Sequence, residues 1–367
     1  MTYETADVSL FVPTLHGGGA ERVMVDLAAT FARWGHTADL VTLDGARDLA
    51  ELDGVDADVR HVRLDARRMA GAGLPLLHYL HQRRPRALLS TLEHSNVVAL
   101  NVGRLAPHVR VVAREANDSR QALPTSPSGR AMRWAMRSSY LHAHRVVAVS
   151  AAVGKSLELD LGVPPSRVVV IDNPAVTPRL WAGAAEALED PWFGPGEPPV
   201  ILGVGRLAKQ KRFDLLLEAF ARLRQRDPAR LLILGEGPER TALEAQAQQL
   251  GVADDVRLNG FTDNPFAYMR HAAVFALTSD FEGMPNALIQ ARALGVPVVA
   301  RTAAEGVCNV LDGTDAARVA SADPDELAAA LQQQMGTPHQ RPDPAWIDRF
   351  RLENAARRYA RTLGMDA

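Results

Sequence analysis

The feature of the sequence that most limits its fold is a repeated alternation of short apolar segments with longer amphipathic ones. Short apolar runs between turn residues predict buried strands, and apolar residues every three or four positions predict helices. In the first half, strands are predicted at residues 7–12, 38–43, 87–90, 110–113, 145–149 and 168–171. Helices are predicted between them, at residues 20–34, 74–83, 95–105 and 130–142. Repeated strand–helix–strand units favour a mostly parallel sheet with helices on both faces.

The alternation stops at a segment rich in proline and glycine and then restarts. Residues 173–199 hold six prolines and three glycines, a density typical of a domain boundary. Beyond it, strands are predicted at residues 200–204, 231–234, 256–258, 274–277 and 296–300, and helices at 213–226, 239–250, 288–294 and 324–334. A chain of 367 residues is also too long for one core.

We therefore predict an α/β protein with four parts. These are a first α/β domain over residues 1–175, a linker over 176–198, a second α/β domain over 199–344, and a C-terminal helix over 345–367 that crosses back to the first domain. A composition of 47% hydrophobic and 23% charged residues is ordinary for globular domains.

Several other classes of protein are excluded by local features. No uninterrupted apolar run reaches the length of a membrane-spanning helix, and Glu4 and Asp7 stand where a secretory signal carries positive charge. The single cysteine, Cys308, leaves no intrachain disulfide and no cysteine-based metal site. We expect a cytoplasmic protein.

Positive charge is concentrated in one region of the first domain. Residues 60–145 contain 15 arginines and four acidic residues, although the whole chain has a net charge of -2. Such a region fits a peripheral contact with an anionic membrane surface, a phosphorylated acceptor, or a merely solvated face. Because no aromatic platform accompanies the arginines, no nucleic acid is expected as a partner.

The first candidate site is the loop 203–212, GVGRLAKQKR, between a predicted strand and a predicted helix. Open α/β sheets bind ligands where their strands end. Lys209, Lys211 and Arg212 crowd the start of the helix, where the helix dipole is already positive, and only an anion offsets that arrangement. The chain has only three lysines, and two of them stand here. The loop predicts a phosphate or diphosphate site; the alternative is a solvated basic turn.

The second candidate site is the segment 279–291, SDFEGMPNALIQA. Pro285 suits the first turn of a helix, and Gly283 allows the backbone to approach a ligand closely. The amides of residues 283–287 are then expected to be donors at a helix N-terminus. Glu282 stands just before the helix, where its carboxylate would accept hydrogen bonds from sugar hydroxyls. The alternative is an acidic loop that caps a core helix.

Together with Gly-Gly-Gly-Ala-Glu-Arg at residues 17–22, these two segments carry a resemblance. The chain resembles the retaining glycosyltransferases of family 4, whose GT-B architecture has two Rossmann-like domains that face a central cleft. The resemblance implies transfer of a hexose-type sugar from a nucleoside-diphosphate sugar, such as a UDP-sugar, to a glycan, lipid-linked or natural-product acceptor. It also implies that no metal or other cofactor is required.

The resemblance further implies a role for individual residues. Arg206 and Lys211 would hold the donor diphosphate with help from the amides of Gly18 and Gly19, Glu282 would hold the sugar, and residues 259–261 would line the base. The expected catalytic residues are Arg206, Lys211 and Glu282. The expected donor-binding residues are Gly17, Gly18, Gly19, Gly205, Asn259, Gly260, Phe261, Gly283, Met284, Pro285, Asn286 and Gln290. The leaving phosphate would take the acceptor proton in a front-face attack.

The sequence departs from the family pattern in three places. A second glutamate is usual eight residues after Glu282, where this chain has Gln290. An acid is usual after the strand at residues 296–300, where this chain has Asn309. Ala116 stands near the position of a histidine in many relatives, so we assign acceptor contacts to its neighbours or to residues after another strand. The expected acceptor residues are Glu93, His94, Asn96, Glu115 and Asn117.

Three alternatives to a transferase stay open. A nucleotide-sugar epimerase of the same architecture would need more carboxylates between the domains. An inactive homologue would bind the nucleotide sugar without transferring it. A dinucleotide enzyme would explain the G-x-G-x-x-A pattern at residues 203–208, but the nearest acidic residue, Glu236, lies too far along the chain for that fingerprint.

Overall fold

The structure is a computed structural model that describes residues 5–15, 18–46, 55, 58–117, 126–303 and 305–366. It divides into two compact units. The first comprises Met1–Pro174 and Arg349–Ala367, and the second comprises Ala175–Asp348. Each unit holds one parallel sheet covered by helices, which confirms the predicted α/β class and its Rossmann-like domains.

Among the described residues of the first unit, seven strands form one sheet. They are β1 (Val8–Phe11), β2 (Ala38–Leu43), β3 (Arg60–Leu64), β4 (Ala87–Thr91), β5 (Arg110–Glu115), β6 (Arg145–Ala148) and β7 (Val168–Val170). Their order is β3-β2-β1-β4-β5-β6-β7, and every pair is parallel. The direction in which the strands are added reverses between β1 and β4. A crevice for a ligand forms at such a switch point, outside the carboxyl ends of the strands.

The helices of the first unit cover both faces of this sheet. They are α1 (Gly19–Arg33), α2 (Gly73–Arg83), α3 (Glu93–Gly103), α4 (Pro127–Tyr140) and α5 (Ala151–Leu161). One face of α1 is buried, including Val23, Leu27 and Phe31, as its apolar spacing predicts.

In the second unit, the described residues form a six-stranded parallel sheet. Its strands are β8 (Val200–Val204), β9 (Arg230–Leu234), β10 (Val256–Gly260), β11 (Val274–Leu277), β12 (Val298–Arg301) and β13 (Ala317–Val319). Their order is β10-β9-β8-β11-β12-β13, so the switch point lies between β8 and β11. Ile201, Leu231, Ile233 and Val274 contribute to a buried core under this sheet.

The chain after Pro174 continues through nine further helices among the described residues. They are α6 (Pro178–Ala185), α7 (Phe213–Arg224), α8 (Arg240–Gln249), α9 (Pro265–His271), α10 (Asn286–Ala293), α11 (Glu305–Leu311), α12 (Pro324–Met335), α13 (Pro344–Arg349) and α14 (Leu352–Leu363). The last of them, α14, belongs to the first unit. α14 packs against α1, β4 and β5. Its Leu352, Tyr359 and Leu363 belong to the buried core of the first unit.

The predicted linker differs from the structure. Residues 176–198 include α6, with Leu180 buried, and a short 3-10 turn over Pro191–Phe193. The prolines begin these elements, because a proline at the first helical position lacks only an N–H that has no partner there in any case. The Thr177 hydroxyl accepts a hydrogen bond from the Leu180 amide and caps α6. Proline density here marks helix starts as well as a boundary.

Further differences concern elements that the sequence patterns miss. β3 is an edge strand with exposed arginines, so its apolar content is low. The helix predicted over residues 345–363 is instead two helices, α13 and α14, interrupted before Leu352. Among the described residues, no helix is long and apolar enough to cross a membrane.

Candidate functional site

The two candidate loops lie side by side at the switch point of the second unit. Residues 205–212 follow β8 and residues 278–285 follow β11, and these two strands are neighbours in the sheet. Because both strands are parallel, their loops leave the same carboxyl edge. The structure thus brings together the two segments that the sequence singled out independently.

Hydrogen bonds join these loops into one assembly. Lys209–Lys211 forms a 3-10 turn. The Gln210 side-chain amide donates to the Phe281 carbonyl over 2.7 Å, and the Asp280 amide donates to the Gln210 carbonyl over 2.9 Å. The Thr278 hydroxyl donates to the Lys211 carbonyl over 2.8 Å. The relative position of the two loops is therefore set before any ligand arrives.

A charged pair lies within this assembly. The Lys211 ammonium contacts the Glu282 carboxylate at 2.5 Å, and the Ser279 hydroxyl donates to the same Glu282 oxygen over 2.7 Å. The two charged side chains are 21% and 10% exposed, so the pair is partly shielded but still reached by solvent. Two expected catalytic residues are thus in direct contact, and Ser279 holds the carboxylate of one of them.

A second carboxylate beside the pair is held by two arginines. Asp280 accepts from Arg212 over 3.3 Å and from Arg301 at the end of β12. Arg206, in contrast, is exposed and has no ion-pair partner among the described residues. Its guanidinium is therefore available to an incoming anion, as is the exposed Lys209 ammonium.

Glycines allow the backbone around the loops to pack closely. A Cβ on Gly235, whose φ is +146°, would stand 2.0 Å from the Gly205 carbonyl oxygen. A Cβ on Gly306, in α11, would stand 2.5 Å from the Gly283 carbonyl oxygen and 2.8 Å from that of Glu282. Any side chain at these two positions would push the candidate loops out of place.

The expected base-lining residues lie at the end of β10, on the same edge of the sheet. Asn259 is exposed, and Phe261 presents 54% of its surface to solvent. Gly260 has a φ of +80°, and its carbonyl oxygen accepts from the Gly235 amide over 2.7 Å. An exposed aromatic ring on a fixed turn is suited to stacking against a flat base.

The helix predicted over residues 288–294 begins two residues earlier in the structure, at Asn286. Pro285 is its N-cap and Asn286 its first residue, while Gly283 and Met284 are buried before it. Gln290 lies in the second turn of this helix, α10, and is half-buried. Asn309, at the second departure from the family pattern, lies in α11.

The glycines at the start of α1 differ from expectation in one respect. Gly17 lies outside the described residues. The Gly18 amide donates to the Glu21 carboxylate over 3.2 Å, and the Thr14 hydroxyl donates to that carboxylate too. The amide of Gly18 is therefore engaged within its own helix cap and is not a free donor for a phosphate. Gly19 is the first residue of α1.

Two of the expected acceptor residues are buried in a polar network behind β4 and β5. Glu115 is 1% exposed and Asn96 is 0% exposed. The Tyr140 hydroxyl donates to Glu115 over 2.7 Å and accepts from the Asn96 side-chain amide over 2.9 Å. The Ser90 hydroxyl completes the network by donating to Asn96 over 2.7 Å. Direct contact of Asn96 or Glu115 with an acceptor is wrong for this structure, because their side chains bond inside the unit.

Burial changes the charge of this network. Desolvation, reinforced by the nearby Glu93 carboxylate, raises the pKa of Glu115 to about 8, so the side chain is mostly protonated at neutral pH. Burial also raises the pKa of Tyr140 well above its usual value. The network of Ser90, Asn96, Tyr140 and Glu115 is therefore mostly uncharged at neutral pH, and Glu93 lies half-buried near it.

The remaining acceptor candidates are accessible. His94 is exposed, and Glu93 and Asn117 are half-buried. The residue before Glu93, Leu92, has a φ of +75°, which is strained for a branched side chain. Strain at a strand–helix junction holds Glu93 and His94 at the carboxyl edge of the first sheet. Contact of these three residues with an acceptor stays a prediction.

Arg114 is a buried residue that the sequence reasoning did not assign. It is 0% exposed and donates to Thr91 over 3.0 Å, to Asn173 over 2.6 Å and to the Tyr359 hydroxyl over 3.1 Å. It thereby ties β5 to the end of β4, to the segment after β7 and to α14. The sequence signal for its burial was the position of a charged residue inside an otherwise apolar strand.

No group of three or more histidine, cysteine, aspartate or glutamate side chains among the described residues could hold a metal ion. The ligand chemistry of the site is instead that of cations, carboxylates and backbone amides.

Comparison with known proteins gives the family. Residues 17–178 match the family model Glycosyltransferase Family 4, and residues 198–336 match the model Glycosyl transferases group 1. The two matches together span most of the chain, one for each unit. The chain belongs to glycosyltransferase family 4. The family identification from the sequence is thus confirmed, as is the GT-B fold.

Curated relatives match this glycosyltransferase over part of their length. It is 32% identical over 164 residues to the lipopolysaccharide core biosynthesis glycosyltransferase LpsE of Rhizobium meliloti, covering 45% of this chain and 46% of LpsE. It is 31% identical over 243 residues to the D-inositol 3-phosphate glycosyltransferase of Thermomonospora curvata, covering 61% of this chain and 54% of that protein. The chain spans about half the length of these two curated relatives.

Among solved structures, this glycosyltransferase is similar to Anabaena Alr3699/HepE in complex with UDP and glucose. The TM-score is 0.77 with 18% identity, over 98% of this chain and 99% of that chain. At this identity the likeness shows the shared fold.

Several residues of the donor loops were missed from the sequence. Gln210, Thr278, Asp280 and Arg301 hold the two loops together, and Gly306 packs under them. Their position within or beside the two motifs was the only signal, because the sequence does not show which strands are neighbours.

Proposed function

We propose that this glycosyltransferase takes its sugar from a nucleoside-diphosphate sugar bound by the second unit. The observation that carries the proposal is the Lys211–Glu282 pair, fixed at the switch point beside the free guanidinium of Arg206. A diphosphate is matched by cations, and sugar hydroxyls are matched by a carboxylate acceptor. The UDP complex of HepE, which shares the fold, supports a UDP-sugar as the first donor to test.

The proposed reaction moves a hexose-type sugar with retention of its anomeric configuration. The acceptor hydroxyl oxygen bonds to the anomeric carbon from the face that the diphosphate leaves. The bond between that carbon and the phosphate oxygen breaks, its electron pair stays on the diphosphate, and the acceptor proton passes to a diphosphate oxygen. Every bond and proton in the step is then accounted for by donor and acceptor alone.

Arg206 and Lys211 stabilise the negative charge that grows on the leaving diphosphate. A divalent cation supplies this charge in other enzymes, so we propose that the reaction here has no metal requirement. An ammonium group has three donors, so Lys211 keeps its contact with Glu282 while it donates to a phosphate oxygen. Glu282 in turn keeps free lone pairs for the sugar hydroxyls.

The first experiment is calorimetric binding of UDP, GDP, dTDP and NAD to the wild-type protein and to Lys211→Met. We expect one nucleoside diphosphate to bind best. We expect Lys211→Met to lower the affinity for that nucleotide about tenfold, which is the contribution of one charge-assisted hydrogen bond. Lys155→Met is the control, because this exposed lysine lies in α5 of the first unit and outside the donor loops. Binding of NAD alone, or equal losses in both variants, would contradict the proposed donor site.

Turnover separates this proposal from the two alternatives. We expect the preferred nucleotide sugar to transfer or hydrolyse its sugar in the presence of EDTA, with an α-linked donor giving an α-linked product by NMR. Conversion of the donor into a different nucleotide sugar without loss of nucleotide would identify an epimerase. Tight binding without any turnover would identify an inactive homologue.

The Gln290 side chain affects nucleotide preference in this proposal. A carboxylate accepts from both ribose hydroxyls, whereas an amide offers one acceptor oxygen and an NH2 donor. Gln290→Glu is therefore expected to raise the affinity for ribonucleoside diphosphates more than the affinity for deoxyribonucleoside diphosphates. Equal affinities of UDP and dTDP for both proteins would contradict this role.

For the acceptor, we propose a lipid-linked or phosphate-bearing glycan bound by the first unit, with contacts from Glu93, His94 and Asn117. LpsE, whose name places it in lipopolysaccharide core synthesis, supports this choice. The surface of α4 supports it as well. Trp134 is 73% exposed on this helix, and Arg130 and Arg137 are exposed near it.

This surface also refines the expected role of the arginine-rich region at residues 60–145. Arg83 and Arg114 are buried, and Arg83 pairs with Asp39, so neither faces a partner. Arg120 lies outside the described residues. We propose that α4 makes a peripheral contact with an anionic membrane, since tryptophan and arginine suit the membrane interface.

Cosedimentation with lipid vesicles tests this contact. We expect binding to vesicles that contain phosphatidylglycerol, weaker binding to pure phosphatidylcholine, and a loss in Trp134→Ala. Leu105→Ala is the control, because Leu105 is 63% exposed outside α4. Equal binding to both vesicle types, or equal losses in both variants, would rule out α4 as the contact.

A further inference from the structure

A cavity lies on the second unit away from the donor loops. Its volume is about 350 Å³, and its lining residues are Arg270, Leu294, Gly295, His339 and Arg341. Arg270 is in the last turn of α9, and Gly295 lies between α10 and β12. These connections lead into the amino ends of β11 and β12, whereas the donor loops follow the carboxyl ends of β8 and β11. The cavity therefore lies at the opposite edge of the sheet.

The charge of this cavity is uniformly positive or neutral. None of its five lining residues is acidic. Arg270 and Arg341 have no ion-pair partner among the described residues, and the Arg341 guanidinium stands 5.3 Å from the centre of the Trp181 ring. Asp315 is paired with Arg292, whose guanidinium also donates to the Gln340 carbonyl next to Arg341. Cationic side chains that lie together without a counter-charge favour the binding of an anion.

The backbone around the cavity is held in place. The Gln340 amide donates to the Gly295 carbonyl over 2.8 Å, and Arg292 donates to the Gln340 carbonyl over 2.5 Å. Gly295 has a φ of +87°, and a Cβ there would stand 3.2 Å from the Arg341 backbone nitrogen. A side chain at this position would press into the segment that carries His339 and Arg341. Because residue 295 is a glycine, no side chain presses on this segment, and the cavity stays open.

The His339 ring is oriented by the protein. Its Nε2 lies 3.1 Å from the Ala272 carbonyl, to which it donates, so its other nitrogen is left for a ligand. Burial lowers the pKa of His339, with the charges of His271 and Arg270 adding to the effect. An anion between His339, Arg270 and Arg341 would reverse these charge effects.

We propose that this cavity binds the phosphate group of a small phosphorylated metabolite. Two guanidinium groups suit phosphate, to which they donate in pairs. The volume lies at the lower end of the range of about 300–1,000 Å³ for small-molecule sites, and it exceeds the need of a single phosphate ion. The site is separate from the donor site, so the proposal does not depend on the proposed function.

NMR of the histidine rings tests the site, with inorganic phosphate and glucose 6-phosphate as probes at constant ionic strength. The His339 signals, assigned with His339→Gln, are expected to move saturably with both probes and not with chloride. Tighter binding of the sugar phosphate would show that the cavity takes the whole metabolite, and equal affinities would show a phosphate ion site. Movement with chloride alone, or no saturable movement, would overturn the proposal.

Variants locate the binding. Arg270→Gln and Arg341→Gln are each expected to weaken phosphate about tenfold, since each removes a charge-assisted contact. Arg226→Gln removes an exposed arginine elsewhere in the unit and is expected to change nothing. The titration is repeated in Lys211→Met, which lacks the donor-loop lysine, so failure of the donor site leaves the result readable. Wild-type affinity in both cavity variants would overturn the assignment.

Discussion

The carboxyl edges of the two parallel sheets place carboxyl groups in opposite surroundings. In the second unit, the loops after β8 and β11 carry half-exposed charges, with Lys211 on Glu282 and two arginines on Asp280. In the first unit, the ends of β4 and β5 bury Glu115 in a network where it is mostly protonated. The carboxyl group faces a cation within reach of solvent at one edge, and it is buried and mostly protonated at the other.

The difference follows from what surrounds each carboxyl group. Glu282 accepts from an ammonium and a hydroxyl and remains in contact with solvent. Glu115 has a phenol donor and full burial, with Glu93 nearby, so its neutral form is favoured. The arrangement around Glu282 suits a charged ligand. The arrangement around Glu115 suits a rigid, uncharged support beneath the hydroxyl group of an acceptor.

The largest effect is expected when the charged carboxylate becomes an amide. Glu282→Gln keeps an acceptor for Ser279 but removes the charge that faces Lys211, and we expect kcat to fall about 100-fold to 1,000-fold, as for loss of one aligned polar group in an active site. Nucleoside diphosphate affinity should stay the same or tighten, because Lys211 is released. Steady-state kinetics and calorimetry measure the two quantities. A parallel fall in both would show that the carboxylate serves the loop fold.

The next effect concerns the buried cation of the first unit. Arg114→Met removes three hydrogen bonds from a fully buried guanidinium and is expected to lower the free energy of unfolding by about 2–3 kcal/mol. Arg110→Met is the control, since the side chain of the partly exposed Arg110 makes one hydrogen bond among the described residues, to the Thr362 carbonyl of α14. Denaturant unfolding measures both. Equal losses would mean that the network adds nothing beyond packing.

A smaller effect is the pH dependence of Glu115. Its pKa is raised to about 8 in the folded protein, so its contribution to stability is complete below the unfolded pKa and is lost as pH rises through 8. Relative to Glu115→Gln, the wild type should lose about 1 kcal/mol per pH unit between pH 5 and 8. Unfolding midpoints across this range test the sign. A constant difference between the two proteins would mean that Glu115 is charged when folded.

The smallest effect is expected at the hydroxyl that positions Glu282. Ser279→Ala removes one hydrogen bond of 2.7 Å from a carboxylate that keeps Lys211, so kcat should fall about threefold to tenfold with KM little changed. Ser279→Thr keeps the hydroxyl and should restore most of the rate. A loss in the threonine variant as large as in alanine would point to packing at this position.

Much of the fold followed from the sequence because each strand is a short apolar run. The runs at β2, β8 and β11 match their strands residue for residue. β3 escaped detection because an edge strand with Arg60 and Arg63 lacks that pattern. The two donor loops were found through lysine placement and glycine, which are local signals, so their contact could be anticipated only through the family resemblance.

The first unit was harder to assign because burial of polar residues is set by tertiary packing. Asn96 and Glu115 follow strand ends as functional residues do, yet their side chains point into a closed network. For the buried Arg114, the one local sign was its position inside an apolar strand. The sequence showed that these residues lie at strand ends, but it did not show in which direction their side chains point.

The place of α14 in the core of the first unit sets the order in which the chain can finish folding during synthesis. Residues 175–348 are all synthesised before Leu352 and Tyr359, and domains generally fold as units while the chain emerges. The unit that begins first is therefore completed last. Until then α1, β4 and β5 lack their cover, and this apolar surface is where a nascent chain of this protein would depend on a chaperone.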